Sequence, residues 1–175
     1  MKIIIVGCGR VGYSLAGKLN ADGNNVTVVD TSAEKIADVT GQFDVMGVVG
    51  NGATISVLKD AGIDDAELFI AVTNSDELNL LCCMIAKKEG NCETVARIKS
   101  PEYSKEAEYL QKQLGLAMVI NPEYEAAKEY CFQQFADTDE HRYQVGDYQF
   151  IEHLWQTKET ETGEWEIYCK FPEMF

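Results

Sequence analysis

Six residues near the start of the chain, Gly7-Cys8-Gly9-Arg10-Val11-Gly12, and one acid further on, Asp30, have the types and spacing to hold phosphate and ribose. Gly7 permits a sharp turn. Gly9 carries no Cβ to keep the backbone from an approaching pyrophosphate, and Gly12 lets a helix pack closely on a sheet. Asp30 lies 18 positions after Gly12, close to the ~20-residue spacing at which a carboxylate meets ribose hydroxyls. The same carboxylate repels a 2′-phosphate, which favours NAD or another adenine nucleotide over NADP. Alone, G-x-G-x-x-G is equally a tight turn with no ligand, so its meaning depends on the elements around it.

Those elements are legible. Ile3-Ile4-Ile5-Val6 is a β-branched run suited to a strand covered on both faces. Arg10 to Asn20 has a helical pattern, so its free N–H groups and positive dipole end would face the phosphates. Val26 to Asp30 is a second strand. Thr31-Ser32 reads as an N-cap for a helix ending near Gly41, and Phe43 to Val49 as strand three, leaving through Gly50-Asn51-Gly52-Ala53. Thr54 to Ala61 is a helix closed by Gly62. Leu68 to Val72 is strand four, followed by Thr73-Asn74-Ser75-Asp76-Glu77 and a helix to Gly90. Thr94 to Ile98 is strand five, Pro101 to Leu114 a helix, Leu116 to Ile120 strand six, and Asn121-Pro122-Glu123 opens a last helix to Phe135. Short strands alternating with helices predict an α/β, Rossmann-like, doubly wound parallel sheet.

In such a sheet ligands bind beyond the carboxyl ends of the strands, at the switch in strand order. Gly7–Gly12, Asp30, Gly50–Ala53, Thr73–Asp76 and Arg97 all fall on that edge. Asn51 either meets adenine or ribose or supplies a turn beside glycines. Thr73 and Asn74 line the cleft, although Thr73 to Ser75 also suits a helix cap. Arg10 and Arg97 are surface charges or phosphate ligands. An unpaired guanidinium at the end of a hydrophobic strand is costly, so Arg97 calls for an anionic ligand or an acidic partner. Asp76 and Glu77 read as favourable charges at a helix N-terminus.

Composition narrows the classes. The chain has 175 residues, 46% hydrophobic, and a formal charge of −14, enough for a core and adverse to nucleic acid or anionic lipid as a partner. No apolar run approaches ~20 residues, and MKIIIVGCGR is too soon broken by glycine for a signal peptide, so neither membrane insertion nor a leader is expected. The cysteines at 8, 82, 83, 92, 131 and 169 form no C-x-x-C pair, and His141 and His153 are the only histidines. No metal site is expected, and reduced thiols are.

Residues 1 to about 135 resemble the regulator-of-conductance domain, also called the KTN domain, in particular the N-terminal NAD-binding domain of Trk-type potassium uptake regulators. The stretches that carry the resemblance are KIIIVGCGRVGYSLA, VTVVD, VVGNGA, LKDAGIDDAELFIAVTNSDELNLLCCMIAK, VARIKSPEY and VINPEYEAAKE. An ordinary dehydrogenase lacks the IAVT-x-x-DE-x-N block at this spacing. The resemblance implies that Gly7 to Gly12 with Arg10 hold phosphates, that Asp30 holds ribose, that Thr73 and Asn74 line the cleft, and that Arg97 approaches phosphate. It implies NAD or NADH as ligand, with ATP or ADP as the alternative, and no catalytic residue. It also implies a homodimer or larger ring, cytoplasmic and peripheral at the inner face of the membrane. That assembly would gate a membrane-embedded potassium-translocating subunit.

Residues 136–175 differ in character. They hold both tryptophans, both histidines, ten acids and three basic residues, half the net charge. Tyr148 to Thr157 and Trp165 to Phe171 could pair as a hairpin across Lys158–Glu164. The chain thus reads as a nucleotide-binding domain, 1–135, and an acidic aromatic tail, 136–175. The rival functions are an NAD-dependent oxidoreductase, for which the tail is too short a substrate domain, and a free-standing nucleotide-sensing interaction module.

Overall fold

In the computed structural model, β1 (Lys2–Val6) runs into α1 (Arg10–Ala21), β2 (Asn25–Asp30), α2 (Ala33–Gln42), β3 (Met46–Val49) and α3 (Ile55–Asp60). A 3₁₀ turn, Ile63–Asp65, leads to β4 (Leu68–Ala71), α4 (Asp76–Gly90), β5 (Glu93–Arg97), α5 (Ala107–Leu114) and β6 (Met118–Ile120). The structure describes residues 1–100, 103, 106–122 and 125, together with the backbone of residues 142–145, 148–151, 157–159 and 165–167. The chain divides into two compact units, Met1–Ile120 and Asn121–Phe175.

In the first unit six strands form one sheet in the order β3-β2-β1-β4-β5-β6, every pair parallel. This is the doubly wound arrangement the strand–helix alternation predicts. Parallel strands put all six carboxyl ends on one edge, and the order reverses between β1 and β4, where ligands bind in open α/β sheets. The β1 run shows why it is central. Ile4 and Val6 pack into one core cluster with Leu58 of α3 and Cys82, Cys83 and Ala86 of α4. Ile3 and Ile5 pack into another with Ala16 of α1 and Ile36 and Val39 of α2. Alternate side chains of one strand thus serve two helical layers.

Several boundaries shift. Phe43 belongs to no strand. Its N–H closes α2 onto the Val39 carbonyl at 2.9 Å, and its ring packs on Tyr13 with centroids 5.0 Å apart. β3 therefore starts at Met46. β6 likewise starts at Met118, after Gly115 ends α5 with φ +64°. The helix start at Pro101 and the helix reaching Phe135 lie outside the described residues.

In the second unit β7 (Arg142–Val145) pairs antiparallel with β8 (Tyr148–Ile151), and β9 (Thr157–Glu159) with β10 (Trp165–Ile167). The tail therefore forms two hairpins where the pattern suggested one. Trp165 faces Glu159 in the register, and the Tyr148 strand takes Arg142–Val145 as its partner. Cys169 and Phe171, expected to continue the second strand, lie outside the described residues.

Candidate functional site

Four strand ends build the site: β2 with Asp30, β1 with the glycine loop, β4 with Thr73 and β5 with Arg97. They are consecutive in the sheet, so neighbouring strands ~4.8 Å apart spread them over about 14 Å.

The glycine loop is held from both sides. Gly7 donates to the Val29 carbonyl at 2.8 Å and has φ +103°, a conformation that favours glycine. A Cβ there would lie 2.9 Å from the Thr73 nitrogen, so β1 and β4 meet at this turn. A Cβ on Gly12 would lie 1.8 Å from the Gly7 carbonyl oxygen. Gly12 thus admits α1 against the turn itself as well as onto the sheet. Gly9 is the N-cap of α1, exposed, with no side-chain cap. Among the described residues, no atom beyond its chain neighbours and its own helix backbone lies within 4 Å of where its Cβ would stand. Arg10, also exposed, opens the helix, and Val11 packs against the core. The loop thus turns backbone and a helix N-terminus toward open space, the arrangement that receives anions.

Asp30 binds protein first. Its Oδ2 accepts the Cys8 N–H at 2.8 Å, and its Oδ1 accepts the Ser32 N–H at 2.9 Å. Lys35 Nζ stands 3.9 Å from Oδ2, and the Asp30 side chain is only 11% exposed. Ser32 caps α2 by accepting the Lys35 N–H, as its position predicts. The Cys8 thiol is buried, and burial together with the nearby Asp30 carboxylate pushes its pKa up to about 11, Lys35 opposing. Cys8 is therefore a neutral thiol near pH 7, unsuited to nucleophilic chemistry.

Asn51 closes a turn: its Oδ1 accepts the Ala53 N–H at 2.9 Å, while the residue stays exposed at the end of β3. Asn74 is exposed beside Thr73, and Ser75 is the cap of α4. Arg97 is 7% exposed, with Nη1 donating to the Thr73 carbonyl at 3.4 Å. The structure thus brings Thr73 and Arg97 together. Asp30 and the glycine loop form the other joined group, and Asn51 and Asn74 stand at the rim.

Two residues do more than their sequence pattern indicated. Asp76 is 6% exposed. Its carboxylate accepts the N–H groups of Lys99 (3.0 Å) and Ser100 (2.7 Å), tying the start of α4 to the segment after β5. Asn79, fully buried, bonds to both Thr73 and Arg97. It is the final residue of the IAVT-x-x-DE-x-N block, which was the available signal. Glu77, by contrast, is exposed, and its own N–H and the Ser75 hydroxyl hold its carboxyl below the usual range. Among the described residues there is no group of three or more His, Cys, Asp or Glu placed to hold a metal, and no helix is long and apolar enough to cross a membrane.

Comparison with known proteins gives this geometry a family. The TrkA-N domain model matches residues 3–122. The Trk system potassium uptake protein TrkA of Vibrio alginolyticus is 42% identical over 113 residues, 64% of this chain and 25% of that protein. A TrkA homolog of Methanothermobacter thermautotrophicus is 35% identical over 127 residues, 73% of this chain and 57% of that protein. The chain therefore spans between a quarter and three fifths of the length of these relatives. Among solved structures, the TrkA-N domain of the Escherichia coli inner membrane protein ybaL superposes with TM-score 0.67 at 24% identity, covering 76% of this chain and 96% of that one. The GsuK channel bound to NAD superposes with TM-score 0.64 at 20% identity, covering 86% of this chain and 27% of that one. The glycine loop, β2, the Thr73 turn and Arg97 all lie inside the matched residues, and the chain belongs to the TrkA-N domain family.

Proposed function

We propose that the chain is a non-catalytic, nucleotide-binding regulatory module of a potassium-translocating membrane protein. The observation that carries this reading is the joined pair of Asp30 and the glycine loop at the sheet's switch point, with the α1 N-terminus open beside it. A dinucleotide would lay its adenosine ribose at Asp30, its phosphates on Gly7–Gly12 with Arg10, and its remaining half past Thr73 and Asn74 toward Arg97. Asn51 stands at the rim on the adenosine side. NAD or NADH is the ligand, with ATP or ADP as competitors. Support comes from relatives named for potassium uptake and from like-folded channels whose structures hold NAD or ADP.

Binding would act by preferring one arrangement of an assembly over another. That assembly is a homodimer or ring of these domains at the cytoplasmic face of the membrane subunit. Residues 1–135 carry the nucleotide and 136–175 form an appended segment. The neutral Cys8 thiol does not favour nucleophilic chemistry at the glycine loop. Calorimetry with NAD, NADH, ATP and ADP, run beside a hydride-transfer assay, tests the reading. Saturable binding without turnover supports it, and substrate-dependent oxidation of NADH overturns it.

A further inference from the structure

We infer that Asn79 is a positioning residue of the cleft, one that sets Thr73 against Arg97 without touching ligand. The inference rests on the nucleotide reading above. The Asn79 side chain is fully buried and makes four bonds. Its Oδ1 accepts the Thr73 N–H at 2.8 Å and the Thr73 hydroxyl at 2.7 Å. Its Nδ2 donates to the Thr73 carbonyl at 3.3 Å and to the Arg97 carbonyl at 2.9 Å. One amide thus satisfies backbone groups on the carboxyl ends of two adjacent strands, β4 and β5. The same Thr73 carbonyl receives Arg97 Nη1 at 3.4 Å. A residue in the first turn of the next helix, six positions after Thr73, therefore fixes both the bend of the Thr73 turn and the place where the Arg97 guanidinium rests.

Among the described residues the Asn79 side chain bonds only to Thr73 and Arg97. The Asp30–Cys8 pair and the open end of α1 belong to β2, β1 and α1. The two halves meet where Gly7 approaches the Thr73 nitrogen, but their side-chain braces differ, Asp30 in the first and Asn79 in the second. A ligand confined to the first half should be indifferent to Asn79, and a ligand that crosses to β4 and β5 should depend on it.

The test compares AMP, which places one nucleoside and one phosphate on the first half, with NAD, which extends across both. Affinities are measured by calorimetry on the full chain and on Asn79→Ala, Asn79→Ser and Cys82→Ala. Asn79→Ser keeps one small polar group without burying a charge and cannot span Thr73 and Arg97, which provides a second variant should Asn79→Ala not fold. Cys82→Ala is the control for a core defect on the same helix. Release of Thr73 and Arg97 from the Asn79 amide predicts that NAD weakens about ten-fold in an Asn79 variant while AMP changes less than about two-fold. The Cys82→Ala ratio should stay that of the wild type. Equal weakening of both ligands, or none, in a folded Asn79 variant overturns the positioning role and leaves the nucleotide reading standing. A wild-type chain that binds neither ligand overturns both.

Discussion

The Asp30 carboxylate reaches back across the sheet edge to take the Cys8 N–H at 2.8 Å, joining the end of β2 to the glycine loop at the end of β1. Ser32 occupies the other oxygen. The residue expected to hold ribose is thus also the brace of the loop that would hold phosphate. Ribose hydroxyls would have to add to these bonds, since each carboxylate oxygen has a second lone pair. Asp30→Ala should lower unfolding free energy by about 1–3 kcal/mol, because two backbone donors lose their acceptor. It should weaken NAD by at least as much. Urea melts and calorimetry on the same variant check both, and a stable variant with unchanged NAD affinity would remove Asp30 from either role.

Two glycines of one motif should fail differently. A Cβ on Gly12 would stand 1.8 Å from the Gly7 carbonyl oxygen, whereas one on Gly9 would meet nothing. Gly12→Ala forces α1 off the turn and should cost about 3 kcal/mol or more, visible as a lost or greatly lowered thermal transition. Gly9→Ala should stay within about 1 kcal/mol of the wild type, the difference between Gly and Ala at an N-cap. Its NAD affinity should nevertheless fall, because the new methyl stands where the phosphates would approach. Paired melting and binding curves separate packing from ligand approach.

Much of this was readable because its signals are local. A consecutive β-branched run makes β1, turn residues end each strand, and Ser32 and Ser75 cap the helices that follow them. Six strand ends on one edge follow from alternation alone. The braces were not readable, since their partners are distant in the chain. Asp76 stands 23 residues from Lys99, and Asn79 stands 18 from Arg97. The partners meet only after β4 and β5 pair. A helix-dipole rule accounts for Asp76 at α4's first turn and says nothing of the two N–H groups it covers. The Phe43-to-Val49 pattern reads as a strand from its first residue, but Phe43 packs on Tyr13 instead.

Asp76 gives the third prediction. Asp76→Ala leaves the Lys99 and Ser100 N–H groups without their acceptor and should cost about 1–3 kcal/mol. The effect should be concentrated after β5. Limited digestion with trypsin should cut faster after Lys99 in the variant than in the wild type, with cleavage at Lys18 and Lys59 unchanged. Uniformly faster cleavage would show a global effect instead.

The buried thiols fix how stability responds to alkali. Cys8 is raised from 9.0 to about 11, chiefly by burial and next by Asp30, and Cys82 to about 12 by burial. The native state keeps these protons where the unfolded chain releases them. Their contribution is whole below pH 9 and is lost as pH rises from there toward the native values, about 1.4 kcal/mol per pH unit for each proton retained. Urea melts between pH 8 and 10.5 should show a falling midpoint, and Cys8→Ala should reduce the slope. A flat profile would contradict the burial of these groups.

Thr94 offers the opposite sign. It lies fully buried in β5 opposite Phe69. Its backbone carbonyl accepts the Ala117 N–H at 2.9 Å, but among the described residues its hydroxyl has no hydrogen-bond partner. A buried hydroxyl forgoes its bonds to water at a cost of about 1–3 kcal/mol. Valine has nearly the same shape and the same preference for strands, and a methyl in place of the hydroxyl removes that cost. Thr94→Val should therefore raise stability by about 1 kcal/mol, read as a higher urea midpoint with an unchanged slope. Because Thr94 lies near the start of β5, away from the carboxyl edge where Arg97 ends it, NAD affinity should not move. A destabilised variant would mean that the hydroxyl holds a buried water, which a high-resolution crystal structure of the wild type would display.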